Sequence, residues 1–251
     1  MSEIFARNEL IWGKEFQLLL AQKHVTVFGL GGVGGYTAEA LARSGVGELT
    51  LIDFDKVAIS NINRQLIALH STEGQNKARL FEERLREINP KIKINIFDSF
   101  YTEDMNEKIF SKNTHFVVDA IDTLKSKIQL LEYCHNNNLK VITSMGAGNR
   151  MDPTKLKIKD ISEIGKIKCT FVKNIIRILD KKNIKEGIVA VISEEPPRSL
   201  SSIKNQEKIT ISSGETIELT KISPGSVPFV PSVAGYFMAF YVINSFLNES
   251  G

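Results

Sequence analysis

Two cysteines in 251 residues, Cys134 and Cys169, are too few for a four-thiolate zinc site or a disulfide framework, and they stand far apart in the chain. Long apolar runs are missing as well. The longest, Val233 to Ile243, has 11 residues, follows Pro228 and Pro231, and is too short to cross a bilayer; a buried core helix is expected there, with no stable membrane insertion. The N-terminal MSEIFARNEL carries Glu3 and Arg7 and lacks the apolar stretch of a secretory signal. The expected location is therefore cytoplasmic, with peripheral membrane association a minor alternative. Internal repeats are absent, and the only low-complexity stretch is the polar loop from Pro196 to Asn205.

The chain is 42% apolar and 24% charged, which suits one well-cored domain over residues 1–251. Within it, 1–150 reads as a nucleotide-binding core and 151–251 as an extension expected to face substrate and support dimerisation. Net charge is only +3, but Lys155 to Lys185 holds ten Lys or Arg against Asp160, Glu163 and Asp180. That segment is +7 and the remainder −4. A surface for a polyanion and a solvated basic helix both fit this asymmetry.

Hydrophobic periodicity predicts alternating strands and helices. Strands are expected at His24 to Gly29, Glu48 to Asp53, around Ile92, Ile94 and Ile96, at His115 to Ala120 and at Lys140 to Thr143. Helices are expected at Val33 to Ser44, Gly74 to Ile88 and Leu124 to Asn136. The order implies an α/β fold, a Rossmann-like, mainly parallel sheet with helices on both faces. The C-terminal extension adds strands at Leu156 to Ile161 and Gly187 to Ile192, a basic helix from Thr170 to Lys182, a hairpin from Lys208 to Lys221 turning at Ser213-Gly214, and a closing helix from Val233 to Phe246.

Gly29-Leu30-Gly31-Gly32-Val33-Gly34 fits G-x-G-x-x-G between a strand and a helix, where glycines admit phosphate to the backbone and the helix start attracts the anion. Asp53, 19 residues after Gly34, ends the second strand and can accept ribose hydroxyls. Any mononucleotide or dinucleotide binder shares these features. The next segment narrows the choice: Ser60-Asn61-Ile62-Asn63-Arg64-Gln65 and then Lys77 have no helical or strand periodicity. Two cations near a phosphate loop suit a triphosphate split at its α-phosphorus, and hydride transfer needs neither.

The G-x-G-x-x-G, the D-x-D-x-V beginning at Asp53, the SNxNRQ and the G-x-x-K from Gly74 to Lys77 together resemble the adenylating domain of the ubiquitin-activating-enzyme-like (ThiF/MoeB/HesA) superfamily. The resemblance implies ATP and Mg as cofactors, Asp53 on the ribose, Asn61 and Arg64 on the phosphates, and Lys77 on the triphosphate. It also implies that Asp122 places magnesium and the α-phosphate, and that Arg7 enters a partner's site in a homodimer. Asp53 would equally cap its strand, Asp122 the following helix, and Arg7 would equally be an ordinary surface residue.

Further stretches, among them ALARSGVG from Ala40 and SMGAGNRMDP from Ser144, are similar to the superfamily's tRNA-modifying branch, which dehydrates threonylcarbamoyladenosine. This implies a tRNA carrying threonylcarbamoyladenosine as substrate. Cyclisation needs no enzyme thiol, which fits a chain without a CxxC pair or an evident nucleophilic cysteine. Lys166, Lys168, Lys173, Arg177, Lys181 and Lys182 are the candidate tRNA contacts. Asn149 and Arg150 suit either a substrate pocket or a turn before Asp152-Pro153. Three other readings stay open: an activator of a sulfur-carrier or ubiquitin-like protein, with that protein or a sulfur-transfer protein as partner; an NAD-dependent oxidoreductase; and a non-catalytic nucleotide-binding adaptor.

Overall fold

The computed structural model describes residues 3–110, 113–198, 203–210 and 216–249. Two short helices, Ala6–Trp12 (α1) and Lys14–Leu20 (α2), precede strand His24–Phe28 (β1), helix Gly34–Ser44 (α3) and strand Glu48–Ile52 (β2). Helix Lys77–Ile88 (α4), strand Lys93–Phe97 (β3), the single turn Asn106–Ile109 (α5), strand Phe116–Asp119 (β4), helix Leu124–Asn136 (α6) and strand Val141–Met145 (β5) complete the alternating part. Strand Leu156–Asp160 (β6), helix Thr170–Lys181 (α7), strand Val189–Ser193 (β7), the hairpin strands Ile203–Thr210 (β8) and Thr216–Ser223 (β9), and helix Phe229–Glu249 (α8) follow.

Seven strands form one sheet in the order β3-β2-β1-β4-β5-β7-β6, parallel except for β6, which runs antiparallel to β7 at the edge. Strand alternation sends Val25, Val27, Phe116 and Val118 into one core with α3, α4 and α8, while Phe28 and Val117 join a second core with α6 and α7. Both faces are thus covered, which is why the central strands β1, β4 and β5 are buried along their whole length. The α/β expectation holds in layers and in strand direction.

Three elements differ from the periodicity by three residues or more. Helix α4 begins at Lys77 rather than Gly74, because Gly74 takes a left-handed φ of 76° and Asn76 caps the helix by accepting the Arg79 N–H at 3.0 Å. The β8–β9 hairpin begins at Ile203, five residues earlier than expected, and its expected turn at Ser213-Gly214 lies outside the described residues. Helix α8 has 21 residues, nearly twice the apolar run at its centre. By length and composition alone it could cross a membrane, contrary to the reading of the run as too short, yet half of its most apolar window is buried in the fold. Pro231 is tolerated in its first turn, where backbone donors have no helical partner.

Helix α8 packs along α3 with almost no space between backbones. A Cβ at Gly235 would lie 2.5 Å from the Val33 carbonyl oxygen, and the Thr37 hydroxyl donates to the Gly235 carbonyl at 3.0 Å. The last helix therefore braces the segment that opens α3.

Candidate active site

The crossover direction reverses between β1 and β4, so the carboxyl ends of these strands diverge into a crevice. The glycine loop forms one wall. Gly29 has a φ of 83°, and a Cβ on it would strike the Ala120 carbonyl at 2.8 Å; on Gly34 a Cβ would sit 1.8 Å from the Gly29 carbonyl oxygen. Both positions therefore require glycine. Gly31 is different, with only the Gln65 amide nitrogen 3.6 Å from its Cβ position, which leaves its backbone open to a ligand.

Asp53 follows β2 and is nearly fully buried. Its two oxygens accept the Leu30 N–H at 2.6 Å and the Asp55 N–H at 2.8 Å, so the carboxylate ties the glycine loop to β2. Strand capping and ligand binding are both open to it, since each oxygen keeps a further lone pair. Burial pushes its carboxyl above the ordinary range, and the Lys77 cation pulls it back. Lys77 is 3% exposed and pairs with Asp55 at 2.9 Å. Asp55 is a partner the motif contained without announcing.

Asn61 builds the turn after β2, its side chain accepting the Ala58 N–H at 3.2 Å and its carbonyl accepting the N–H groups of Arg64 and Gln65. That turn aims Arg64, whose guanidinium donates to the Ser60 carbonyl at 2.8 Å and to the Asn63 side chain at 2.9 Å. Burial lowers the Arg64 pKa, and the facing Asp122 carboxylate counters it. Asp122 is exposed on the loop after β4; the residue capping α6 is Thr123, so the capping role proposed for Asp122 is not its own. Gly29, Gly31, Gly34, Asp53, Asn61, Arg64, Lys77 and Asp122 thus meet at one crevice. Gln65 joins them with a buried side-chain oxygen that has no hydrogen-bond partner among the described residues.

Arg7 does not reach this crevice within the chain. Its helix docks on the far end of α3, where the Asn8 amide donates to the Arg43 carbonyl at 2.9 Å. The 11 residues of α3 separate that end from Gly34, about 16 Å of helix. Arg7 is exposed there.

A second polar group lies directly beneath the crevice. Lys127 and Asp119, both fully buried, are 2.6 Å apart, and the Thr143 hydroxyl bridges them at 2.9 Å from Lys127 Nζ and 2.7 Å from Asp119 Oδ2. Asp119 Oδ1 also accepts the Ile121 N–H at 3.0 Å, fixing the loop that carries Asp122. Sequence reasoning passed over Lys127. The signal was its position on the apolar stripe of α6 with Leu124, Ile128 and Leu131, where a lysine demands a carboxylate.

Asn149 serves the turn. It has a left-handed φ of 58°, donates its N–H to the Gly225 carbonyl and accepts the Gly225 N–H, each at 2.7 Å. Arg150 is 3% exposed, donates to the Gly148 carbonyl at 3.2 Å, and has no partner for Nε among the described residues. Both cysteines are buried, and burial pushes the Cys134 thiol well above its ordinary value.

The basic segment divides in two. Lys173, Arg177 and Lys181 recur every fourth residue on the exposed face of α7, opposite buried Val172, Ile175 and Leu179. Lys166 and Lys168 stand in the loop before the helix. Lys182 instead pairs with Glu132 of α6 at 2.7 Å, which binds its charge to the fold.

Known proteins resemble this chain over nearly its whole length. It is 41% identical to a tRNA threonylcarbamoyladenosine dehydratase of Bacillus subtilis, the match covering 98% of this chain and 95% of the relative. The crystal structure of E. coli tRNA N6-threonylcarbamoyladenosine dehydratase, TcdA, in complex with ATP superposes with a TM-score of 0.84 at 29% identity, covering 99% of this chain and 95% of that one. A molybdopterin-synthase adenylyltransferase of Salmonella typhimurium is 33% identical over 59% of each chain. The ThiF family model matches residues 5–250, and with a glycine loop, an acidic strand end and a lysine-arginine pair meeting at one switch point, the chain belongs to the ThiF family.

Proposed function

We propose that this protein uses ATP to dehydrate threonylcarbamoyladenosine in tRNA. The observation that carries the reading is the near-complete match to a dehydratase of that name, supported by a crevice that brings the Lys77 and Arg64 cations beside the glycine loop. The threonyl carboxylate attacks the α-phosphorus of ATP, pyrophosphate departs, and an acyl adenylate forms. An atom of the substrate's own carbamoyl group then attacks the acyl carbon. AMP leaves with one former carboxylate oxygen, so the nucleoside loses the elements of one water. The enzyme's tasks are positioning and charge stabilisation.

In this reading Asp53 holds the ribose, the Gly31 backbone and Asn61 border the phosphates, and Arg64 and Lys77 stabilise the pyrophosphate and the crowded α-phosphorus. Asp122 is an exposed carboxylate beside Arg64, and one carboxylate with phosphate oxygens is an ordinary magnesium set. Magnesium held there would offset charge on the triphosphate. Arg7 serves the site of a second copy: exposed Leu10 and Ile11 on the same short helix give that face an apolar surface for a homodimer. Lys173, Arg177 and Lys181 track the tRNA backbone, and the reaction takes place in the cytoplasm.

The deciding experiment supplies purified protein with ATP, magnesium and tRNA with or without the threonylcarbamoyl group. AMP release only with the modified tRNA, together with a nucleoside lighter by one water, is the expected result. Pyrophosphate exchange dependent on a carrier protein ending in Gly-Gly, with no AMP from modified tRNA, would move the activity to a sulfur-carrier activator.

A further inference from the structure

A cavity of about 450 Å³ lies outside the crevice, on the α7 face of the sheet near its β6 edge. Its size falls within the usual range for a small-molecule or single-nucleotide site, about 300–1,000 Å³. Ile167, Ile192 and Pro196 supply apolar lining, and Lys159, Lys166 and Lys168 supply cations. Lys159 is neutralised by Glu194 at 3.0 Å. Lys166 and Lys168 are exposed and have no ion pair among the described residues. The cavity therefore joins an apolar lining to two unspent positive charges.

Its position ties it to the reaction. The segment 164–168 climbs towards the carboxyl edge of the sheet and arrives with the Cys169 sulfur 3.2 Å from the Cβ position of Gly146, the residue that follows β5. The cavity thus opens beside the ends of β5 and β7, while the crevice opens between β1 and β4. From β4 to β7 is two strand spacings, about 10 Å. A polynucleotide with its reacting nucleotide at the crevice would bring a neighbouring nucleotide to the cavity. Beyond it, Lys173, Arg177 and Lys181 continue as a line of charge along α7 for about 12 Å.

We infer that this cavity holds an unstacked nucleotide of the tRNA next to the one being modified, its base against Ile167, Ile192 and Pro196 and its flanking phosphates on Lys166 and Lys168. Nucleotides taken out of the stack are held in this way, the base between apolar or aromatic side chains and cations on the backbone. The inference rests on the function proposed above and assigns a site to the substrate's neighbour.

Two variants separate shape from charge. Gly165 lines the cavity, its φ lies outside the left-handed region, and a Cβ there meets nothing within 4 Å, so Gly165→Leu fills the space without altering charge or backbone. Lys166→Ala with Lys168→Ala removes charge and leaves the space. With wild-type protein first shown to release AMP on modified tRNA, each variant is expected to raise the KM for tRNA roughly tenfold at unchanged kcat and unchanged KM for ATP. The double lysine variant should also flatten the salt dependence by about 1.4 in the log–log slope, two single-strand phosphates. An unchanged KM for tRNA in Gly165→Leu overturns the inference even if the lysine variant is impaired, because the lysines would then act only as distant charge. A normal KM in both overturns it outright. Failure of the wild type to release AMP on modified tRNA would instead remove the function proposed above.

Discussion

Two buried lysines flank the switch point and do opposite things. Lys127 is fully buried with a fully buried Asp119 and a bridging Thr143, so its charge is sealed inside the protein. Lys77 is almost as deep, but the carboxylate that holds it, Asp55, has a side chain 27% exposed. A sealed pair can only be structural. A pair with one wet partner can exchange it, and an incoming phosphate offers Lys77 a stronger anion than Asp55. Burial lowers the Lys127 pKa, and Asp119 opposes that shift, as expected where pairing must offset desolvation.

The largest effect that could break this comparison is on stability. Lys127→Ala leaves Asp119 uncompensated and is expected to lower unfolding free energy by about 3–5 kcal/mol in urea titrations. Replacing the group together, by Lys127→Met, Asp119→Leu and Thr143→Val, should restore most of that loss. Next comes Lys77→Ala, which should cut AMP formation by about 10²–10³-fold while costing less than about 1.5 kcal/mol of stability. If Lys77→Ala unfolds the protein as severely as Lys127→Ala, the two lysines are equivalent and the exchange argument fails. Asp55→Asn should tighten ATP severalfold in calorimetry, since Lys77 no longer has to leave a carboxylate; weaker binding would make Asp55 part of the nucleotide site.

The smallest effect belongs to a titration remote from both lysines. His115 Nδ1 accepts the His24 N–H at 3.0 Å at the start of β1 and β4, and burial lowers its pKa below the ordinary 6.5. The unfolded chain then binds more protons than the folded one between the folded value and 6.5. Stability should accordingly fall as pH drops through that window and level off below it, by less than about 1 kcal/mol for a ring that is only partly buried. His115→Gln should abolish this slope in thermal melts.

Much of the fold was legible because its signals are local. Ile92, Ile94 and Ile96 alternate as strand β3 must, and Leu124 to Asn136 was bounded to the residue by its periodicity and its flanking polar residues. The crevice was legible because glycine, Asp53 and the Arg64–Lys77 pair are chemically distinctive in sequence. Partnerships were not. Asp55 with Lys77 lies 22 residues apart, Lys127 with Thr143 lies 16, and Asn149 meets Gly225 across 76. Periodicity says which face is buried and is silent on which buried polar group will find which partner. Helix α8 was underestimated for a related reason: Phe229 to Ser232 and Leu247 to Glu249 extend it beyond the expected ends by helical hydrogen bonding, which a count of consecutive apolar residues does not register.

The contact of α8 with α3 also sets a time order. The glycine loop runs from residue 29 to 34, yet the surface it rests against, the Pro231 side chain and the Gly235 backbone, is made some two hundred residues later. During synthesis the strand and the glycines emerge early, with the surface that braces them still unmade. The glycine loop is thus braced only once residues 229–249 have folded back onto α3. A ribosome-bound chain ending before them should show β1 and α3 without a working phosphate site.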